Sequence, residues 1–259
     1  SCLGDETFVL TASYGAQAQH MRWFLQHRED GVSLENISDQ VTGFSSAGPN
    51  ARDLLKACTR DNADLKFLDV REITIGQTAC VVNRVSYTGD LGYEIYCDPM
   101  DQRALWTTLW THGQPMGLSL FGMRAIMSLR LDRFFGSWMR EFSPDYTAAE
   151  TGLDRFIAFR KNVDFIGRNA AEAERITPPE RQLVIFEVDA HDADAVAYEP
   201  VFINGTVQGF CTSGGYSHHA EKSIAFALVP RAEVTDDLQA EIEILGQLRP
   251  AKRLLEPLL

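Results

Sequence analysis

No stretch of the sequence approaches the roughly 18 uninterrupted apolar residues that a membrane-spanning helix needs, and no basic segment leads into an apolar core at its start. Neither a membrane span nor a secretory signal is expected. Cysteine is sparse and scattered: Cys2, Cys58, Cys80, Cys97 and Cys211 never form a CxxC pair, which argues against a disulfide framework and against a zinc site. These thiols read as ordinary core residues in a reducing compartment. Positive charge is in deficit, with 24 Lys and Arg against 36 Asp and Glu for a formal net charge of −12. Such a surface repels phosphate backbones, so nucleic acid is not an expected partner. The stand-alone catalytic signatures are missing too: there is no GxSxG, GxxxxGK[ST] or HExxH, and no GxGxxG after a strand. Internal repeats and low-complexity segments are likewise absent.

What remains is a chain of 259 residues, 45% apolar, enough for packed cores in one large or two domains. Ser1 to Ala12 reads as two strands and a turn with nothing before them, as though the start of a larger protein were missing. Helical spacing marks Gln17 to Gln26 and Ala51 to Cys58, the latter entered from Gly48-Pro49-Asn50. Ser38 to Ser46 alternates like a strand. Asp64 to Ile75 and Thr78 to Ser86 read as a hairpin about Gly76-Gln77, and Gly92 to Cys97 as a third strand. Asp101 to Trp110, with Asp101 as N-cap and Gly113 beyond its end, and Met123 to Phe134 are predicted helices. After Pro178-Pro179 the strand signals at Gln182 to Val188, Val201 to Thr212, Ser223 to Val229 and Glu241 to Leu245, with Asn204-Gly205 as a hairpin turn, predict a small antiparallel barrel.

Two clusters carry candidate chemistry. In Tyr87-Thr88-Gly89-Asp90-Leu91-Gly92-Tyr93-Glu94-Ile95 a glycine-punctuated turn delivers Glu94 onto a strand between apolar neighbours. Burying a carboxylate there costs several kcal/mol unless it is paired, so a partner is expected. An ionised carboxylate accepts two parallel N–H donors, the pattern that an aminopyrimidinone ring offers. On these residues alone an arginine partner or a solvated strand face is the more ordinary account of Glu94. Arg124, at the start of the Met123 helix, is suited to clamp a carboxylate, although an arginine at a helix end is also an ordinary structural feature. His218-His219 follow Ser213-Gly214-Gly215-Tyr216-Ser217 in a loop; adjacent histidines on a strand face opposite ways, and a shared metal is not expected.

Together these segments resemble the aminomethyltransferase family, the glycine-cleavage T-protein family. Tyr87 to Glu94 matches its Tyr-Thr-Gly-(acidic)-x-Gly-(aromatic)-Glu motif. Gly48 to Ala51 is similar to its Gly-Pro-x-Ala turn, and Gly122-Met123-Arg124 through Leu129-Arg130-Leu131 to its Gly-x-Arg and Leu-Arg-Leu segment. Thr151 to Asp154 with Asp164 to Arg168 resembles the linker into its last domain, and Ser213 to Ser217 with Ser223 to Ala225 its final barrel. Within the family, Phe134 to Phe142 and Thr212 to Ser217 look more like the tetrahydrofolate domain of dimethylglycine and sarcosine dehydrogenases.

The resemblance implies an α+β cloverleaf of three subdomains around a central folate channel, ending in a small antiparallel β-barrel. Residues 1–36 would be the remnant of an N-terminal subdomain, 37–150 the central folate-binding part, 151–178 a linker and helix, and 179–259 the barrel. It implies tetrahydrofolate as the one-carbon acceptor, with Glu94 and Tyr87 on the pterin and Arg124 on the folate side. The family's catalytic aspartate would fall just before Ser1, so no catalytic residue is assigned and the activity of these residues alone is open. The implied reaction moves a one-carbon unit from a methylated amine or glycine-type substrate, giving methylene-tetrahydrofolate. FAD would belong only to a flavin dehydrogenase fused or associated upstream. A folate-dependent S- or O-demethylase and a non-catalytic folate-binding relative are the alternatives; the Lys-Gly-Cys-Tyr-x-Gly-Gln-Glu motif of folate-binding relatives in iron–sulfur assembly is absent. The cytoplasm, or a mitochondrial matrix, is the expected compartment.

Overall fold

The structure, a computed structural model, describes residues 1–259, which divide into two compact units, Ser1–Phe121 and Gly122–Leu259. None of its helices is long and apolar enough to cross a membrane.

The first unit opens with a short hairpin, β1 (Cys2–Gly4) and β2 (Thr7–Phe8), followed by α1 (Gln17–Gln26). Then come β3 (Thr42–Ala47), α2 (Ala51–Cys58), β4 (Val70–Ile75), β5 (Thr78–Asn83), β6 (Gly92–Cys97) and α3 (Gln102–Gly113). The last four strands form one antiparallel sheet in the order β3-β6-β5-β4. Alternation along these strands sends Ile73, Ile75, Cys80, Val82, Tyr93, Ile95 and Cys97 to one face. On α2, Ala51, Leu54, Leu55 and Cys58 recur at i, i+3, i+4 and i+7, a stripe that meets that face together with Leu105 and Leu109 of α3. The core of the unit therefore lies between the sheet and its two helices.

Several predicted boundaries move, each for a local reason. The strand expected from Ser38 starts only at Thr42, because the Asn36 side chain accepts hydrogen bonds from both the backbone N–H and the hydroxyl of Ser38 and holds a turn there. The one expected from Asp64 starts at Val70: the Asp69 carboxylate accepts from the Lys66 N–H at 2.8 Å, and Leu68 adopts a left-handed φ of 69°. The strand expected to end at Ser86 stops at Asn83. Asp101 stands at the N-cap of α3 without a side-chain cap, while Asp98 caps a preceding 3-10 turn; the helix runs on through Gly113. Phe134, with φ of 56°, lies beyond the end of the helix predicted to include it.

The second unit begins with α4 (Met123–Asp132), α5 (Ala148–Thr151) and α6 (Arg168–Ile176). Its six strands are β7 (Arg181–Val188), β8 (Pro200–Ile203), β9 (Thr206–Ser217), β10 (Lys222–Pro230), β11 (Gln239–Ile244) and β12 (Gln247–Leu254), closed into an antiparallel barrel in the order β10-β7-β12-β11-β8-β9. Asn204-Gly205 turns β8 into β9 as expected. Sequence reading omitted β12, whose Gln-Leu-Arg-Pro-Ala-Lys-Arg-Leu lacks a clean apolar alternation. Val184, Phe186, Val188, Ala225, Ala227 and Val229 fill the interior. Ile224 and Phe226 point outward from β10 and are covered by Leu131 of α4 with Phe134 and Ile185. Strand β10 is thus buried on both sides, which explains its continuous apolar run.

An ion pair is buried beneath this cover. Arg130, 1% exposed, reaches Glu141 Oε2 at 3.3 Å, donates to the Phe135 carbonyl at 2.8 Å and to Ser213 Oγ at 2.7 Å, and lies over the Phe226 ring. The Ser137 N–H donates to the same Glu141 oxygen at 2.8 Å. Replacing Glu141 by alanine leaves the Arg130 charge buried without its counter-ion, so urea denaturation should show the second unit less stable by about 3–5 kcal/mol, with Arg130→Met added to Glu141→Leu recovering most of the loss.

Four of the five cysteines are core residues as read; Cys2 is exposed on β1, where no core reaches it. Burial pushes the Cys58 thiol up to about 11 and those of Cys80 and Cys211 to about 12. An aromatic disulfide reagent at pH 8 should accordingly titrate one thiol rapidly in the folded chain, lost in Cys2→Ser, and all five after denaturation.

Candidate functional site

The motif that delivers Glu94 is built from short polar contacts. Ser86 and Thr88, both buried, share a hydroxyl–hydroxyl hydrogen bond of 2.9 Å, and Thr88 Oγ1 donates to Asp90 Oδ2 at 3.0 Å. The turn then re-enters the sheet at Gly92, where a Cβ would stand 2.7 Å from Ser86 Cβ and 2.9 Å from the Ser46 carbonyl oxygen. Glycine is required there because the turn folds directly onto the strand. Half-buried Tyr87 sits inside this turn.

Two-residue alternation decides the rest. Tyr93 and Ile95 point into the core, so Glu94 is not buried among its sequence neighbours; it stands half-buried on the opposite face beside Tyr96. The expected partner is present and is a phenol rather than a guanidinium: the Tyr96 hydroxyl donates to Glu94 Oε2 at 2.7 Å. Burial, then the hydrogen bond and charge of Glu94, push the Tyr96 hydroxyl well above the usual tyrosine range, so it stays a donor at every ordinary pH. Sequence reading missed Tyr96, although strand periodicity places the residue at i+2 on the face of Glu94.

The Tyr96 ring also lines a cavity of about 380 Å³ within the first unit, bounded by Leu10, Tyr14, Phe24, Ile37 and Gly43 among others. A hollow lined by both apolar and polar side chains suits a planar heterocycle, whose body packs on the apolar ones and whose hydrogen-bonding edge is read by a few fixed groups.

Arg124 lies in the second unit, exposed in the first turn of α4. The arginine that this helix buries is Arg130, and its role is structural. Its distinguishing signal was Leu129-Arg130-Leu131, a charge within an apolar helical run. His218 and His219 are exposed in the β9–β10 turn, His218 against the edge of Tyr216. A larger groove of about 720 Å³ at one end of the barrel carries many charges, several of them already engaged: Lys222 with Glu187 at 2.7 Å, Asp194 with the Ser223 hydroxyl at 2.7 Å, and His191 with Asp189 at 3.2 Å. Size alone favours this groove; the uncommitted acceptor capacity of a half-exposed carboxylate favours Glu94.

Comparison with known proteins agrees with the motif reading. The GCVT N-terminal domain family matches residues 1–161 and the glycine cleavage T-protein C-terminal barrel domain family matches residues 181–259. The chain is 34% identical over 257 residues to a protein named dimethylglycine dehydrogenase, mitochondrial, from Homo sapiens, covering 97% of this chain and 30% of that protein. To an aminomethyltransferase of Geobacillus sp. it is 30% identical over 255 residues, covering 98% of this chain and 70% of the relative. The fold is that of glycine cleavage system aminomethyltransferase T from Bartonella henselae, with a TM-score of 0.81 at 24% identity over 95% of this chain and 66% of that one. The chain thus spans under a third of the dimethylglycine dehydrogenases that it matches and about two thirds of the aminomethyltransferases, and it belongs to the glycine cleavage T-protein family.

Proposed function

We propose that this chain binds a reduced folate through Glu94 and serves the transfer of a one-carbon unit from an amine nitrogen to tetrahydrofolate, giving methylene-tetrahydrofolate. The observation that carries the reading is the presentation of Glu94: half-buried, turned away from the core, and fixed by the Tyr96 hydroxyl. A carboxylate has about four acceptor sites, so one bond from Tyr96 leaves room for the two parallel donors of an aminopyrimidinone edge. The residues present therefore fit a pterin.

When bound, tetrahydrofolate supplies the nitrogen nucleophiles that take up the one-carbon unit. The chain supplies orientation: Glu94 fixes the ring by its hydrogen-bonding edge, and Tyr87, in the turn that positions Glu94, is proposed as its companion on the pterin. A static, pre-paired carboxylate spends little of the binding energy on ordering itself. Leu10, Phe24 and Ile37 of the neighbouring cavity offer apolar surface on which the ring can pack. Arg124, exposed and cationic at the start of α4, is proposed separately as a contact for a carboxylate of the ligand. Higher identity to proteins named dimethylglycine dehydrogenase than to those named aminomethyltransferase supports a methylated amine as the one-carbon donor. A dehydrogenase, fused or associated, is then the partner that would generate the one-carbon unit.

Calorimetric titration with 5-formyltetrahydrofolate tests the reading. Each hydrogen bond to a charged group contributes about 1.5–3 kcal/mol, and about 1.4 kcal/mol is tenfold in affinity. Saturable one-to-one binding is expected for the unsubstituted chain, weakened about 100-fold in Glu94→Ala with an unchanged unfolding transition. Equal affinity in the two proteins contradicts the assignment.

A further inference from the structure

We propose that Tyr96 is a positioning residue, whose hydroxyl holds the Glu94 carboxylate in the orientation that receives a ligand's paired N–H donors. The proposal rests on the folate reading of Glu94 for the identity of the ligand, and on the structure for the pairing itself.

Two observations converge on it. Glu94 and Tyr96 are i and i+2 on β6, on the same face, and the 2.7 Å hydrogen bond runs from the phenol to Oε2. Space for the tyrosine ring is secured across the strand pair: Gly43 on β3 is the register partner of Tyr96, and a Cβ there would stand 3.0 Å from Tyr96 Cδ1 and 2.3 Å from the Ile95 carbonyl oxygen. A side chain at position 43 would run into the Ile95 carbonyl and crowd the ring. A phenol has one proton to give. In this geometry that proton goes to Glu94.

This bond acts on Glu94 in two ways. It removes rotamer freedom from a side chain with three rotatable bonds, a loss that would otherwise fall on the binding step. It also fills one lone pair of Oε2, leaving a fixed remainder of the carboxylate edge for a flat ligand. Tyr96 contributes through Glu94, so its worth should vanish when Glu94 is absent. A residue that merely supports the fold, or that touches the ligand on its own account, behaves differently.

A double-mutant cycle separates these cases. Titration of the chain with 5-formyltetrahydrofolate should show Tyr96→Phe weakening binding about tenfold in the native background, and less than twofold in the Glu94→Ala background, read at millimolar ligand. Equal losses in both backgrounds would overturn the proposal, as would full affinity in Tyr96→Phe. A second measurement needs no ligand: in chain labelled with 13C at tyrosine Cζ, the resonance assigned by its disappearance in Tyr96→Phe should shift in Glu94→Ala. A resonance indifferent to Glu94 would overturn the pairing whatever the chain binds. If the unsubstituted chain fails to bind folate while that resonance does respond, the positioning role is upheld and the folate reading alone falls.

Discussion

The register of β6 decides which side chains the first unit can offer to a ligand. Its two-residue period divides Tyr93, Ile95 and Cys97, which join the core under α2 and α3, from Glu94 and Tyr96, which face away from it. A slip of one residue would drive the carboxylate into that core and expose the apolar set, a cost of several kcal/mol at Glu94 alone. The register is pinned at the entry by the Ser86–Thr88–Asp90 hydroxyl contacts and by the fit of Gly92 against Ser86, and across the strand pair by Gly43 opposite Tyr96. What reads in the sequence as a motif is thus a device for fixing a strand's phase, and the chemistry of Glu94 is its consequence.

The second unit shows the same economy in another form. Three of the segments that resemble the family meet at one ion pair: Arg130 from the Leu-Arg-Leu helix, Ser137 and Glu141 from the loop that follows it, and Ser213 from the strand leading into Gly214-Gly215. Buried charge of this kind adds little to stability beyond an apolar replacement. Its geometry, however, joins helix, loop and barrel strand at a single point. That gives Glu141, within Phe134 to Phe142, a structural role.

Much of this architecture was legible in advance because the signals are local. Helix α1, helix α2, strand β6 and the Asn204-Gly205 hairpin follow from spacing and turn chemistry alone. Errors arose where side chains compete with the backbone: Asn36 and Asp69 hold turns in stretches whose apolar content looked like strand, and β12 pairs through its backbone despite Pro250, Lys252 and two arginines. Of the site, Glu94 was legible as a carboxylate in need of a partner. That the partner is Tyr96 followed from periodicity and went unread. The partnership of Arg130 with Glu141, eleven residues on, depends on a loop path that no local pattern encodes.

The central claim is that the Glu94 carboxylate receives the hydrogen-bonding edge of a pterin, and a crystal structure of this chain with 5-formyltetrahydrofolate tests it most directly. The account predicts the aminopyrimidinone ring with two N–H groups on the Glu94 carboxylate and the Tyr96 hydroxyl still donating to Oε2. A folate bound with Glu94 outside hydrogen-bonding reach of the ring would contradict it.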